Sequence, residues 1–444
     1  MPNLPRLAIV NLLEPAEASA CIPAIMAAFR KKGSFVQHFR SLAAFTPIDY
    51  VTPLTGIASR HLDPWIMSEE LCRELFIRSA SQVDLSIIEG TSNDSSGLST
   101  DQASPNWSAV ARMVNAPVIG VVRSQSRGDF HAQPLPAGID ALLIDGFINR
   151  EHYEAEKASW EGIHGVQVLG GLAAGPSASE CIERMQTGRR VPAATLDDLS
   201  RRFTEVTDMS RLLTLAGSRP LPARPPGLFN VRRLRNRLQV AVAYDECFHC
   251  YFPDTLDALE ILGAEICEFS PLVDERLPAG TDIVYLGCGH PEKHAWTLAT
   301  NECMRAAIRD HVCSGHRLYA EGGGSAYLCQ QIRLTTGEPV PMVGLFPAVA
   351  ELTGRPFARP QPVELRCRRT NWIAAEGDAI RGYRNGYWRL VARPGLKDCF
   401  AADSIDPEVV LRHHCIGSTV HLNFAAQPRV LDAFFAPHAP SLSI

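Results

Sequence analysis

No stretch of this 444-residue chain approaches the roughly 20 consecutive apolar residues that a bilayer-spanning helix needs, so no membrane-crossing role is expected. The apolar run near its start, Leu7 to Leu13, is too short for a secretory signal core, and a cytoplasmic protein is expected. Charge of one sign is missing too. With 43 Lys and Arg against 48 Asp and Glu, the net charge of -5 gives no bulk attraction for nucleic acid or anionic lipid. Aromatic residues make up 7%, and no stacking aromatics are interleaved with the basic cluster Arg232, Arg233, Arg235 and Arg237. That cluster reads as a solvated face, and no nucleic-acid partner is expected.

A disulfide framework is absent as well. The 13 cysteines are scattered rather than set at short regular spacings, which suits a reducing compartment. Three groups hold Cys and His close together: Cys247, His249 and Cys250; His311, Cys313 and His316; His413, His414 and Cys415. None shows the spacing of a zinc finger or ribbon, so no metal is expected. Strand periodicity places Cys247 and His249 on one face and Cys250 on the other.

What is present is a βαβ rhythm. Strand-like runs at Leu7 to Leu13, Val83 to Glu89, Pro117 to Val122, Ala141 to Ile144 and Val166 to Leu169 alternate with helical patterns at Ile22 to Lys32 and Trp107 to Asn115. They imply a mostly parallel sheet covered on both faces. Thr195 to Ala216 is helical in pattern, and the Pro- and Arg-rich stretch from Gly217 to Arg237 reads as a linker. The resulting organisation is a first domain over 1–216, a linker over 217–237 and a second domain over 238–444. The second α/β pattern runs through strands at Gln239 to Ala243, Ile266 to Phe269, Asp282 to Leu286 and Arg317 to Ala320. Helices are expected at Asp254 to Gly263, over Trp296 to Val312 as one piece, and near Pro428 to Phe435, making an open doubly wound sheet.

Within that second pattern, Gly315 to Leu328 reads as a buried strand, a tight glycine turn and the start of a helix. This is the geometry of a nucleophile elbow, which pushes one side chain into a pocket lined by backbone N–H groups. The elbow position falls on Gly322. With neither hydroxyl nor thiol there, no covalent acyl intermediate can form.

Four ordered segments, Ala241 to Phe248, Phe269 to Glu275, Tyr285 to Ala295 and Tyr319 to Gly324, resemble the class I glutamine amidotransferase domain of the cobyrinic acid a,c-diamide synthase family. In the first domain, Gly56 to Trp65, Asp84 to Gly90, Ala116 to Val118 and Ile148 to Arg150 are similar to the family's P-loop, dethiobiotin-synthetase-like domain. The resemblance implies an α/β chain with an N-terminal P-loop-NTPase-like parallel sheet and a C-terminal class I glutamine-amidotransferase-like (flavodoxin-like) domain. It implies a reaction in which ATP phosphorylates a tetrapyrrole side-chain carboxylate, and ammonia from glutamine then makes the amide. It also places Gly322 where the family has its cysteine, His421 at the general-base position, Gly287, Cys288 and Gly289 in the oxyanion loop, and Glu89 at the Walker-B acid.

Several of those elements are altered. The phosphate-loop segment, Asn11 to Ala20, has no glycine and no lysine, and carries Pro15, Glu14 and Glu17, which remove a donor and repel triphosphate. Arg40 stands near a family lysine, Ser, Asn and Asp fill the loop at 91–96, Arg123 replaces an aspartate, and Gly382 to Trp388 replaces a histidine-containing segment. Cys288 as a substitute nucleophile would have to turn into the substrate's place. The expectation is a catalytically degenerate pseudoenzyme with no resident cofactor. Its expected role is as a binding, partner or regulatory subunit for a tetrapyrrole or an enzyme of tetrapyrrole metabolism, with homo- or hetero-oligomeric assembly left open. The alternative is an active amidase taking free or partner-supplied ammonia, with Mg-ATP held through Arg40 and Glu89.

Overall fold

The computed structural model describes residues 4–13, 18–41, 51–91, 107–125, 134–187, 190–221, 238–354, 360–394, 396–401 and 407–436. The chain divides into two compact units, Met1–Leu228 and Phe229–Ile444. Much of the phosphate-loop segment (residues 14–17), the loop beyond Thr91, and the arginines of the Pro- and Arg-rich stretch from Arg224 on lie outside the described residues.

In the first unit, seven strands among the described residues form one parallel sheet: β1 (Arg6–Asn11), β2 (Val36–Arg40), β3 (Arg60–His61), β4 (Leu85–Thr91), β5 (Val118–Arg123), β6 (Ala141–Phe147) and β7 (Gln167–Ala173). Their order is β3-β2-β4-β1-β5-β6-β7. β1 lies at the centre, with β4, β2 and β3 on one side and β5, β6 and β7 on the other. The central strands are near-continuous apolar runs because helices cover both faces. Those helices are α1 (Cys21–Lys31), α2 (Val51–Thr55), α3 (Glu69–Ala80), α4 (Trp107–Met113), α5 (Arg150–His164), α6 (Pro176–Thr187), α7 (Ala193–Val206) and α8 (Met209–Ala216). Local signals set their ends: Asn149 Oδ1 accepts from the His152 amide at 2.9 Å to start α5, and Gly165, at φ 65°, stops it.

Arg6 is fully buried at the start of β1. Its guanidinium donates to the carbonyls of Leu4, Val114, Asn115, Arg219 and Pro220 at 2.6–3.1 Å, fastening the end of the unit's last described segment to the central strand.

In the second unit, β8 (Leu238–Ala243), β10 (Ala264–Phe269), β11 (Ile283–Leu286), β13 (Arg317–Glu321) and the strand Cys415–Ser418 run parallel. The short antiparallel strands Val409–Arg412 and Lys397–Asp398 complete the far edge. A two-stranded ribbon joins β9 (Phe248–Cys250) to β12 (Cys288–Gly289). Two further four-stranded sheets lie among the described residues, and one of them pairs Ala379–Arg384 with Val420–His421. The helices are α9 (Pro253–Ile261), α10 (Ala295–Thr300), α11 (Glu302–Cys313), α12 (Gly323–Leu328) and α13 (Pro428–Phe435). No described helix is long and apolar enough to cross a membrane.

The helix expected over Trp296 to Val312 is two helices. Asn301 leaves the helical region (ψ 70°), accepts the Met304 amide on Oδ1 to cap α11, and donates its amide to the carbonyls of Pro271 and Asp274. A side chain that satisfies both a cap and a neighbouring loop outweighs the continuous helical pattern. The expected face assignment also changes: Cys247 precedes β9 rather than lying in it, held in a turn where the Cys247 and Phe248 amides donate to Asp245 Oδ1.

Candidate functional site

The end of β13 and the start of α12 form the turn that the glycine pattern announced. Gly322 sits at φ 49°, ψ -113°, a backbone state in which a Cβ carries strain. Its amide donates to the Ser418 carbonyl at 2.7 Å. The turn is buried. A Cβ built on Gly322 would lie 2.9 Å from the Cβ of Cys288, 3.0 Å from Cε1 of His421 and 3.6 Å from its Nε2. Glycine at 323 serves a different need, because a Cβ there would meet the Gly289 carbonyl oxygen at 2.6 Å.

His421 does stand at the elbow, fully buried. Behind it lies the buried carboxylate of Glu321, with Oε2 3.6 Å from His421 Nδ1. The other oxygen of Glu321 accepts from the Tyr319 hydroxyl (2.7 Å) and the Leu422 amide (3.1 Å), which fixes the carboxylate in place. On the opposite side of the ring, Asn385 Nδ2 lies 3.0 Å from Nε2. Asn385 Oδ1 accepts the Tyr387 amide at 2.9 Å, so the amide nitrogen is the group that faces the histidine. An amide N–H donates only, so Nε2 accepts and the ring proton belongs on Nδ1, toward Glu321. The carboxylate and the imidazole stand in the order that a nucleophile-activating pair uses, 3.6 Å apart. The atom offered to Nε2 is the amide of Asn385.

The glycine loop lies beside the elbow, with Gly287, Cys288 and Gly289 brought against Gly322 to Gly324; the Gly324 amide donates to the Gly287 carbonyl at 3.1 Å. The Gly287 amide donates to the hydroxyl of Tyr251 at 2.9 Å, and that hydroxyl in turn donates to the Ala243 carbonyl. Burial pushes the Tyr251 phenol well above its ordinary range, so it stays a neutral donor. An oxyanion hole needs unspent N–H groups, and this one is spent on a phenol. Cys288 is buried, and its thiol donates to the Cys250 carbonyl at 3.2 Å. Burial, and next the neighbouring Cys250, push the Cys288 thiol well up, which is the wrong direction for a nucleophile at neutral pH.

In the first unit the structure brings Arg40 and Glu89 together. They are register partners near the carboxyl ends of β2 and β4, with Arg40 Nε 3.7 Å and His38 Nε2 3.1 Å from Glu89 Oε2. Glu89 is therefore already engaged by two cationic or donor groups. Arg123 closes the start of α1 from another side: it pairs with Asp145 at 2.8 Å and donates to the Ala18 carbonyl at 3.0 Å. Ser19 Oγ accepts the Cys21 amide, taking one donor of the helix end that a phosphate would need.

His61, paired with Arg40 across β3 and β2, has both ring nitrogens shielded from water. Burial, then the positive charges of Arg40 and His38, lower it to about 3. The unfolded imidazole protonates near 6.5, so between the two values the unfolded chain binds the extra proton and stability falls as pH falls. The expected contribution reaches about 1.4 kcal/mol per pH unit below pH 6.5. His61→Gln should flatten the acid limb of urea midpoints measured from pH 7 to pH 4, and an unchanged limb would count against a buried neutral His61.

A profile of the CobB/CobQ-like glutamine amidotransferase domain matches residues 239–428. Cobyrinate a,c-diamide synthase of Syntrophotalea carbinolica is 28% identical over 97% of this chain and 98% of its own length. The synthase of Methanothermobacter thermautotrophicus is 29% identical over 92% and 94%. That of Methanosphaera stadtmanae reaches 30% over 69% of this chain and 71% of its own length. The chain belongs to the cobyrinate a,c-diamide synthase family. Within that family's frame, the elbow, the histidine and the glycine loop of this member stand together, while the thiol does not.

Three residues around the elbow, Glu321, Asn385 and Tyr251, have no mark in the sequence pattern that assigns them to it. Glu321 adjoins the elbow at the end of an apolar strand, and a buried acid there is a signal that could have been followed. Asn385 begins an Asn-Gly turn, with Gly386 at φ 65°, which marks the turn but not its contact with His421. Nothing in the pattern pointed Tyr251 at Gly287. Among the described residues, no group of three or more His, Cys, Asp or Glu is arranged to hold a metal ion. His311 and His316 instead stack at 4.8 Å, and His311 Nε2 lies 3.0 Å from the Arg317 carbonyl.

Proposed function

We propose that this family member is a pseudoenzyme: it keeps the synthase fold, has given up glutamine hydrolysis and carboxylate activation, and serves as a binding, partner or regulatory subunit in tetrapyrrole metabolism. The observation that carries the reading is the elbow, where Gly322 replaces a reactive side chain, the Asn385 amide engages His421 and the Tyr251 hydroxyl takes the Gly287 amide. Supporting it in the first unit, the segment Asn11 to Ala20 lacks glycine and lysine, and the Arg123–Asp145 pair lies against the start of α1.

The test combines three measurements on the full chain. Incubation with glutamine should release no glutamate above the blank. Equilibrium dialysis against millimolar Mg-ATP, with and without a corrinoid carboxylic acid, should show no nucleotide retained. Titration with the corrinoid acid should shift its visible spectrum. Glutamate release would overturn the reading. Retained nucleotide would favour the alternative, an active amidase fed with free or partner-supplied ammonia and using Arg40 and Glu89. An unshifted spectrum would remove the tetrapyrrole from the assignment.

A further inference from the structure

Cys250 and Cys288 face each other directly across the β9–β12 ribbon. Opposed residues of an antiparallel pair have Cα atoms about 4.5–5.5 Å apart, inside the about 4.4–6.8 Å that a disulfide spans. Both are free thiols. The Cys288 sulfur already reaches the Cys250 main chain, at 3.2 Å from its carbonyl oxygen, and the two side chains are within hydrogen-bonding reach of each other. The pair is asymmetric, since Cys250 keeps part of its surface in water while Cys288 is buried.

We propose that Cys250 and Cys288 are a redox-active dithiol that closes to a cross-strand disulfide in the presence of a low-molecular-weight disulfide such as oxidised glutathione. The step proceeds by thiol–disulfide exchange. The Cys250 thiolate attacks one sulfur of the small disulfide, forming a mixed disulfide and expelling one small thiolate. Cys288 then gives up its proton and attacks the Cys250 sulfur, forming the Cys250–Cys288 bond and expelling the second small thiolate. The two protons from the protein thiols end on the two released small thiols, so two protein thiols are oxidised and one small disulfide is reduced.

Chemistry assigns the order of attack. The hydrogen bond with Cys288 and the neighbouring His249 and His290 hold the Cys250 thiol well below its ordinary range, while burial holds Cys288 well above it. Cys250, the residue that keeps part of its surface in water, is thus the attacking partner, and the buried Cys288 is the resolving one. The bond also has a structural address. The Cβ of Cys288 lies 2.9 Å from the Cβ position of Gly322, so the bond forms directly beside the elbow. The exchange requires neither assembly nor glutamine turnover.

The test is incubation of the reduced full-length protein with oxidised glutathione, alkylation of remaining thiols, proteolysis and mass spectrometry. The exposed Cys303 and Cys313 report that the oxidant reached the protein. The expected product is one crosslink between the peptides carrying Cys250 and Cys288, lighter by two hydrogens and reversed by dithiothreitol. In Cys288→Ser the reaction should stop at a glutathione adduct on Cys250. The proposal fails if Cys303 and Cys313 carry glutathione while Cys250 and Cys288 remain alkylatable. It also fails if wild-type Cys250 accumulates a stable adduct without linking to Cys288, or if Cys288→Ser takes no adduct at position 250.

Discussion

Gly322→Ala is expected to destabilise the second unit by about 2–5 kcal/mol, although it adds one methyl group at a position that the sequence leaves bare. The backbone at φ 49° costs a residue with a Cβ about 1–2 kcal/mol. The new carbon would then press on the Cβ of Cys288 and the ring of His421, and overpacking of that kind costs about 1–3 kcal/mol. The Cys288 Cβ belongs to a main chain fixed by the β9–β12 ribbon, so it cannot swing aside as a side-chain tip would. Cys288→Gly removes that carbon, whereas Cys288→Ala keeps it.

Urea unfolding of Gly322→Ala, Cys288→Gly and the double variant forms a cycle, and the double variant should be more stable than the sum of the single losses by about 1 kcal/mol or more. Strict additivity would show that the two positions do not press on each other. The same contact governs any attempt to restore the thiol. Gly322→Cys alone should hydrolyse no glutamine, because its Cβ meets the same carbon before its sulfur can meet His421.

Arg6→Met is expected to cost the first unit at least about 3 kcal/mol. The arginine is fully buried, and its five donated hydrogen bonds end on five main-chain carbonyls from residues 4, 114, 115, 219 and 220. Methionine fills a similar volume but donates nothing, so the buried carbonyl oxygens of Leu4 and Val114 lose a partner where water cannot readily replace it. Burial, and next the charge of Arg219, lower the guanidinium to about 10, and it remains charged at neutral pH. Arg6→Lys should recover only part of the loss, since one ammonium cannot reproduce a planar fork. Hydrogen exchange gives the reading: protection of the β1 and β5 amides should fall in Arg6→Met, and unchanged protection would mean that the five bonds are not supporting the sheet.

Most strands of the two main sheets were legible because burial on both faces writes an unbroken apolar run, as in Leu7 to Val10 or Ile283 to Leu286, whereas Val36–Arg40, Arg60–His61 and Cys415–Ser418, short or broken by polar residues, were not. The elbow was legible because the close approach of the neighbouring backbone to Gly323 and Gly324 leaves no room for a Cβ, which writes a glycine run between strand and helix. Asn301 was not, since its hydrogen bonds to Pro271 and Asp274 come from a loop that periodicity cannot see. The site shows the same division. Gly322 announces itself by the glycine turn, Glu89 by its position at a strand end, and Gly287 to Gly289 and Arg40 only through the resemblance to the family. Glu321, Asn385 and Tyr251 act through side-chain direction, which depends on how β13, the turn after Arg384 and the residues after β9 are brought together. The missing thiol was plain from the sequence. That its place is taken up by Cys288, His421 and an asparagine amide could be learned only from the packing.

The four outer margins of the two sheets share a property that bears on colloidal behaviour. In the first unit one margin is β3, two residues long, and the other is β7, whose pairing with β6 is broken by shifts in register. In the second unit one margin is β10, which turns Glu265 outward to solvent, and the other is the two-residue strand Lys397–Asp398. Short, bulged or charged margins give identical molecules no flat seam along which to zip. Crowding at high concentration should therefore not drive this chain into strand-by-strand polymers, even though most of each sheet is built from the Val- and Ile-rich runs that form them most readily when left uncovered.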